Sequence, residues 1–201
     1  MNYNQFKNLS CYEEFEIQCT LTGISKVDIL SVIGRKIDNY YFFILKDGIF
    51  NWFDLKGNHV KDPGILKTLK EDHIPSSISK CIIPNSVTCI SNDTFLGCES
   101  LKEITIPNSV ISIGNYAFHY CESLKEIIIP DSVTSIGCEA FSGCKSLTSI
   151  TIPNNVTSIG SYAFYYCKSL KEVIFKGKTL DEVKQMENYP FGKYENIFKF
   201  S

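Results

Sequence analysis

Five of the eleven tyrosines occur in two groups, Tyr116 with Tyr120 and Tyr162 with Tyr165 and Tyr166, and these are the residues most suited to recognition chemistry. The two groups lie two units apart in a repeating stretch of 23 residues, and the unit between them carries Glu139, Ser142 and Gly143 instead. Exposed tyrosine supplies contact area at a low entropic cost. At about 4.8 Å per unit, the spacing predicts two aromatic walls about 10 Å apart with a floor of small residues. Such a slot would hold an extended peptide or a flat ring.

The candidate binding residues are all members of these two groups or of the unit between them. They are Tyr116, His119, Tyr120, Glu139, Tyr162, Tyr165 and Tyr166. The alternative interpretation is that these are tolerant surface positions, or positions half-buried against their neighbours.

The elements that must position these residues are four copies of one 23-residue phrase. They cover residues 78–100, 101–123, 124–146 and 147–169, named here coils one to four. A fixed period of this length is typical of a solenoid, in which each unit buries its apolar face against the next. The apolar positions predict an interior column of leucines and a column of phenylalanines. Coil one departs from the others, with Ser91 and Thr94 in place of Gly and Ala.

Nine cysteines resemble a disulfide framework at first, but four of them keep the repeat period. Those four are Cys98, Cys121, Cys144 and Cys167. Periodic placement predicts a packing role, and the other five show no CxxC spacing. We therefore expect nine free thiols, as suits a reducing compartment.

Composition excludes several function classes. The 201-residue chain has a formal net charge of −2 and no run of like charge, which argues against a nucleic-acid or membrane surface. It has no stretch of 18 apolar residues and no signal-peptide pattern, so a cytoplasmic location is expected.

Catalytic and metal-binding signatures are not found. His59, His73 and His119 each lie apart from Cys, Asp or Glu at ligand or triad spacing. No nucleotide-binding, metalloprotease or nucleophile-elbow motif occurs. We predict no enzyme activity, no metal and no cofactor.

The two ends differ from the repeats. Residues 1–73 are rich in aromatic residues, with a hairpin turning at Asp47 and Gly48 and a short helix opening at Asp62 and Pro63 and running through Leu69. They are predicted to form a small α+β domain that caps the solenoid or binds a partner. Residues 74–176 form the solenoid. Residues 177–201 form a helical cap, in which Thr179 and Glu182 make a capping box and Leu180, Val183 and Met186 share one apolar face.

The repeated phrase resembles the BspA-like leucine-rich repeats, whose pattern is close to LxxIxIPxSVxxIGxxAFxxCxS, over residues 78–175. The resemblance implies a right-handed β-rich solenoid with a parallel sheet on its concave side. Members of this family look like bacterial and protist surface proteins, and similar repeats occur in phage and viral proteins. Residues 179–192 are similar to phage-borne copies.

Two functions follow from this resemblance as alternatives. The first is a non-enzymatic scaffold that binds a protein partner, with a phage-encoded protein acting on a host protein as one form of it. The second is an adhesin-like surface module that recognises glycan or matrix. An enzyme in the N-terminal domain is a third and weaker alternative.

Overall fold

The structure, a computed structural model, describes residues 41–46, 48–54, 59–61, 64, 66–70, 74, 76–186 and 195–201. The chain divides into two compact units, Met1–Leu66 and Lys67–Ser201. Each unit is described by itself.

The N-terminal unit contains the predicted hairpin. Strands β1 (Tyr41–Lys46) and β2 (Ile49–Asp54) pair antiparallel, with Lys46 opposite Ile49. Gly48 has a φ of 77°, a left-handed conformation that glycine adopts without a steric cost. A third strand, β3 (His59–Val60), pairs antiparallel with β2. The hairpin is confirmed, and residues 1–40 of the predicted domain lie outside the described residues.

The helix predicted to run through Leu69 is wrong. Thr68–Leu69 is a strand, β4, and it pairs in parallel with β6 (Cys89–Ile90) of the first coil. Leu69 is completely buried there, so burial against the solenoid overrides the local helix signal. Asp62 and Pro63 lie outside the described residues. The solenoid sheet therefore begins before residue 74, where the sequence analysis set its boundary.

One parallel sheet runs without a break through the described coils and is named here the continuous sheet. Its further strands are β8 (Ser112–Ile113), β9 (Ser135–Ile136) and β11 (Ser158–Ile159). They follow β4 and β6 in the order β4-β6-β8-β9-β11, each in register with the equivalent residues of the next coil. The second residue of each strand is buried: Leu69 in β4, and Ile90, Ile113, Ile136 and Ile159 in the others.

A second set of strands forms the interrupted sheet, which falls into two pieces. In the first piece, β5 (Lys80–Ile82) pairs with β7 (Glu103–Thr105). In the second, β12 (Glu172–Phe175) lies between β10 (Ser149–Ile152) and β13 (Phe198–Phe200). Coil three contributes a single bridge, from Ile128 to Thr151.

The interior is built from the predicted columns. The rings of Phe95, Phe118, Phe141 and Phe164 stack nearly parallel, with centroids 5.0, 5.3 and 5.8 Å apart in turn. The column leucines, Leu101, Leu124, Leu147 and Leu170, are all buried. Both columns are confirmed, and so is the stacking register of the repeat.

The glycines of coils two to four, Gly114, Gly137 and Gly160, are required by close contact between coils. A Cβ at Gly137 would lie 2.5 Å from the backbone nitrogen of Asn115. In the same region the side-chain oxygen of Asn92 accepts from the Asn115 amide at 2.8 Å, and Asn115 accepts from the Cys138 amide at 2.8 Å. These ladders tie successive coils together where a larger residue than glycine would separate them.

The C-terminal segment is helical only in part. The helix α1 (Leu180–Lys184) begins with the capping box that Thr179 and Glu182 were predicted to form, and Val183 and Met186 are buried. The chain then returns as β13 and extends the interrupted sheet beside β12. A cap made of helix alone is therefore wrong, because strand pairing satisfies the edge of β12 more completely than a five-residue helix could.

Candidate functional site

The predicted site residues come together on one surface formed by the turns of coils two to four. These turns place two residues of each coil in the left-handed conformation. Tyr116, Tyr120, Tyr162 and Tyr166 have φ values of 54°, 59°, 59° and 56°. A left-handed conformation is uncommon outside glycine, asparagine and aspartate, and it costs of order 1–3 kcal/mol for other residues. The chain therefore holds four tyrosines in a conformation that they disfavour.

The tyrosines stand out into solvent, and we name this surface the tyrosine patch. Tyr162 is 59% exposed, and Tyr116, Tyr120, Tyr165 and Tyr166 are also exposed. Neighbouring rings meet edge to face, with centroids 4.1 Å apart for His119 and Tyr120 and 4.4 Å for Tyr165 and Tyr166. Edge-to-face contact is the favoured arrangement of aromatic rings, so the rings support one another.

The prediction of an open slot between two aromatic walls is wrong, because the floor of the slot is covered. A Cβ added at Gly143 would lie 2.4 Å from Cδ1 of Tyr120. The ring of Tyr120 therefore leans over Gly143 and covers the position that was expected to stay open. The site is an aromatic surface rather than an open slot, and glycine at position 143 is what allows the ring to lie there.

Glu139 lies among the aromatic side chains. Its Oε2 is 3.5 Å from Nδ1 of His119, and the two side chains are 28% and 13% exposed. The negative charge of Glu139 and its hydrogen bond to the phenol raise the pKa of Tyr116. The hydrogen bond of Tyr165 to Tyr166 is the main cause of the raised pKa of Tyr165, and Glu139 contributes through its charge. A carboxylate beside His119 whose charge reaches Tyr116 and Tyr165 is the main electrostatic feature of this surface.

The cysteine column lies behind the patch, in the interior. The thiols of Cys121, Cys144 and Cys167 donate to the carbonyls of Phe95, Phe118 and Phe141, at 3.3, 3.2 and 3.1 Å. Burial raises the pKa of Cys167 to about 12. The seven described cysteines are free, in agreement with the prediction, and Cys11 and Cys19 lie outside the described residues. These thiols are packing groups rather than nucleophiles.

Two grooves in the described part of the chain lie away from the tyrosine patch. One, of about 710 Å³, follows the continuous sheet and is lined by small residues such as Ser112, Ser135 and Gly137. The other, of about 690 Å³, lies where the interrupted sheet parts, between Glu103 and Ile128. Neither contains a predicted site residue. Small side chains offer little contact area, so the aromatic surface remains the stronger candidate.

Metal binding and membrane crossing find no support in the described residues. No group of three or more His, Cys, Asp and Glu side chains there could hold a metal ion. Likewise, none of the helices described is both long enough and apolar enough to pass through a bilayer.

One residue of the site was missed by the sequence analysis. Asp93 occupies in coil one the position of Tyr116, Glu139 and Tyr162, and it is also left-handed, with a φ of 59°. The signal was present in the repeat alignment, since the four residues alternate acid and tyrosine at one repeat position.

These features define a parallel β-solenoid of the leucine-rich-repeat kind with a variable aromatic surface. The model of the BspA type leucine rich repeat region matches residues 74–197 in six copies. The chain belongs to this family. No curated protein matches the sequence.

Solved structures of bacterial leucine-rich repeat proteins are similar to this chain. The T. pallidum leucine rich repeat protein is 37% identical, over 53% of this chain and 48% of that chain, with a TM-score of 0.49. A leucine rich cell surface protein from Faecalibacterium prausnitzii is 23% identical, over 78% of this chain and 43% of that chain, with a TM-score of 0.53. A Bacteroides capillosus leucine-rich repeat protein is 26% identical, over 72% of this chain and 99% of that chain, with a TM-score of 0.49. This chain spans less than half the length of the first two.

Proposed function

We propose that the chain is a non-enzymatic scaffold that binds a protein partner through the tyrosine patch. The observation that carries this proposal is that four tyrosines occupy left-handed positions and are exposed. At the same repeat position as Tyr120 and Tyr166, coils one and three carry Gly97 and Gly143. Glycine satisfies that backbone without strain, so the fold itself does not need tyrosine there. Recognition is the function that exposed tyrosine supports best.

Protein binding fits the chemistry of the patch better than catalysis does. Tyrosine is enriched among the residues that dominate binding energies at protein interfaces. The cysteines behind the patch are held protonated by burial, and the carboxylate of Glu139 lies 3.5 Å from His119 and raises the pKa of Tyr116. No nucleophile with an adjacent base is formed among the described side chains of the patch.

The experiment is photo-crosslinking from the position of Tyr165, in a lysate of the cells in which the chain acts, followed by identification and purification of the captured protein. Affinity for that purified protein is then measured for the native chain and for the double variant Tyr120→Gly with Tyr166→Gly. We expect binding at least about 30-fold weaker, since one hot-spot residue contributes about 2 kcal/mol or more. The matched control is Ile128→Ser, an exposed apolar residue on the interrupted sheet, which should bind normally.

The opposite result assigns binding to the N-terminal unit. If the double variant binds normally and deletion of residues 1–66 abolishes binding, the solenoid is only a support and the proposal is wrong. The deletion must stop at Leu66, because Thr68–Leu69 is a strand of the continuous sheet.

The adhesin-like alternative has less support. One similar structure is named a cell surface protein, but at 23% identity it shares the fold and nothing finer. The phage-encoded form of the scaffold rests on the ending of the sequence alone and stays a prediction. A captured glycan in place of a protein would favour the alternative.

A further inference from the structure

One column of the tyrosine patch alternates acid and aromatic from coil to coil. Asp93, Tyr116, Glu139 and Tyr162 occupy the same repeat position in coils one to four. All four are left-handed, with φ values of 59°, 54°, 51° and 59°. The identical backbone conformation gives the four Cβ atoms equivalent directions, so Glu139 projects between two tyrosines. We name these four residues the acid–tyrosine column.

Glu139 keeps hydrogen-bonding capacity that its neighbours do not use. An ionised carboxylate can accept about four hydrogen bonds, and two neighbours reach this one. Oε2 lies 3.5 Å from Nδ1 of His119, and the charge of Glu139 raises the pKa of Tyr116. The side chain is still 28% exposed. A donor from outside the chain therefore has access to a carboxylate that lies beside two aromatic side chains.

The surroundings of Glu139 favour a cation over any other donor. The faces of tyrosine rings carry negative potential and attract a cation within about 6 Å of the ring centroid. Coils repeat at about 4.8 Å, so a cation above Glu139 lies about 5 Å from the columns on either side. Neither lysine of coil three fills this role, because Lys145 forms an ion pair with Glu122 and Lys125 lies by the interrupted sheet. The chain therefore supplies the acid and the rings but no lysine or arginine from that coil.

We propose that Glu139, between Tyr116 and Tyr162, is a subsite for a lysine or arginine side chain of the protein partner. The guanidinium or ammonium group donates to the free oxygen positions of Glu139 and lies between the two tyrosine rings. The subsite rests on the proposed function, since it names the chemistry that the tyrosine patch selects in its partner. The subsite predicts that the bound segment is basic, because the acid–tyrosine column contains two acidic residues and no basic one.

The test is an NMR titration of the full chain with two small probes. N-acetyl-argininamide carries the cation, and N-acetyl-citrullinamide has nearly the same shape without the charge. We expect the arginine probe to shift the ring signals of Tyr116 and Tyr162 and to bind at least about fivefold more tightly than the citrulline probe. Equal binding of the two probes, or shifts confined to other residues, would overturn the proposal.

Two variants assign the effect to the subsite. Glu139→Gln keeps the shape and removes the charge, and it should weaken the arginine probe at least about fivefold. Glu126→Gln, in the same coil but on the interrupted sheet, is the matched control and should bind the probe normally. Tyr162→Leu keeps an apolar side chain but removes the ring. It is the second test of the subsite if Glu139→Gln perturbs folding. An unchanged affinity in both Glu139→Gln and Tyr162→Leu would overturn the proposal.

The outcome separates this subsite from the proposed function. If the double variant Tyr120→Gly with Tyr166→Gly loses the purified partner while the arginine probe fails to bind, the subsite is wrong and the proposed function stands. If the arginine probe binds as expected and the double variant still holds the partner, the proposed function is wrong.

Discussion

The continuous and interrupted sheets use the same repeat but differ at the junction between coils two and three. In the continuous sheet, Ser112 and Ile113 of β8 pair with Ser135 and Ile136 of β9 in register. In the interrupted sheet, no ladder among the described residues joins β7 to coil three. Ile128, which follows the gap, is 82% exposed. One sheet therefore holds these coils together where the other does not.

Opposed like charges coincide with the break between coils two and three. Across the junction of coils two and three, Lys102 faces Lys125 and Glu103 faces Glu126 at equivalent repeat positions. Like charges directly opposite each other destabilise strand pairing. Between coils one and two, Lys80 faces Glu103 instead and forms an ion pair at 3.0 Å, and β5 and β7 pair there.

The junction that follows coil four is neutral on one side, and its strands pair as those of coils one and two do. Coil four carries Thr148 and Ser149 at these positions, and β10 pairs with β12 in full register. Coils three and four, whose junction also lacks opposed like charges, share only the bridge from Ile128 to Thr151, so charge alone does not decide where a full ladder forms.

The interior is what keeps coils two and three in register across the gap. Phe118 and Phe141 stack at 5.3 Å with an angle of 2° between their rings. The Cys144 thiol donates to the Phe118 carbonyl at 3.2 Å. The comparison teaches that the buried columns determine the scaffold. The surface columns can vary, and the hydrogen-bonded ladder between two coils can even be lost. The predictions below test this division.

The largest expected effect is alkaline destabilisation through the buried thiols. Burial raises the pKa of Cys81 and Cys167 to about 12, and it raises those of Cys121 and Cys144 well above the usual value. An unfolded thiol ionises near pH 8.5, so this stability is complete below about pH 8.5 and is lost as the pH rises from there towards about 12. Each thiol contributes a slope of up to about 1.4 kcal/mol per pH unit.

Urea unfolding at pH 7.5, 9 and 10 measures this effect. The triple variant Cys121→Ala, Cys144→Ala and Cys167→Ala is the control and should lose less stability with rising pH. An identical pH dependence in the two proteins would show that these thiols are not buried in the folded state.

The next largest effect is expected from Phe141→Ala, in the middle of the phenylalanine column. Removing a fully buried ring should lower the free energy of unfolding by about 3–5 kcal/mol, through lost burial and a cavity between two stacked neighbours. The measurement is the denaturant midpoint at neutral pH. An unchanged midpoint would contradict the claim that the interior holds the coils in register.

Gly137→Ala tests the continuous sheet at the same junction. Its new Cβ would meet the backbone of coil two at 2.5 Å, and backbone cannot rotate away, so we expect a loss of about 3 kcal/mol. The control is Gly97→Ala, where nothing lies within 4 Å and only the left-handed φ is strained. That control should cost about 1 kcal/mol. Equal costs would mean that the coils can move apart freely.

The smallest effect is expected from closing the interrupted sheet. The double variant Lys125→Thr with Glu126→Ser gives coil three the residues of coil four and removes both like-charge pairs. Stability should rise by about 0.5–1 kcal/mol, and amide exchange over residues 103–105 and 126–128 should slow. The matched control is Lys171→Thr with Glu172→Ser. It changes the junction after coil four, which is already neutral on one side, so its stability should not rise. Exchange that stays fast in coil three would show that charge does not cause the gap.

Much of the fold could be predicted from the repeat, because stacking brings equivalent residues of successive coils together. The phenylalanine and leucine columns followed from the period alone. Leu69 was assigned to a helix because its local signals point to one, whereas its burial depends on pairing with Ile90 in a coil further along the chain. Local sequence cannot supply that contact.

The sequence places the candidate binding residues near one another, but it does not give the shape of the surface that they form. The repeat alignment brings Tyr116, Tyr120 and Glu139 together because they lie at the turns of neighbouring coils. The direction of the Tyr120 ring depends on a left-handed backbone that tyrosine does not signal, and the ring covers Gly143 as a result. The opposed charges at Lys125 and Glu126 were also visible, but the sequence does not say whether strands part or side chains adjust.

The central claim is that the tyrosines of the patch serve binding and that the scaffold does not need them. It is tested most directly by the free energy of unfolding of Tyr120→Gly with Tyr166→Gly. This variant gives coils two and four the glycine that coils one and three already carry at Gly97 and Gly143. We predict stability equal to the native chain or up to about 1 kcal/mol higher per site, because glycine relieves the left-handed strain. A loss of more than about 2 kcal/mol would contradict the claim, since it would mean that the rings hold the solenoid together.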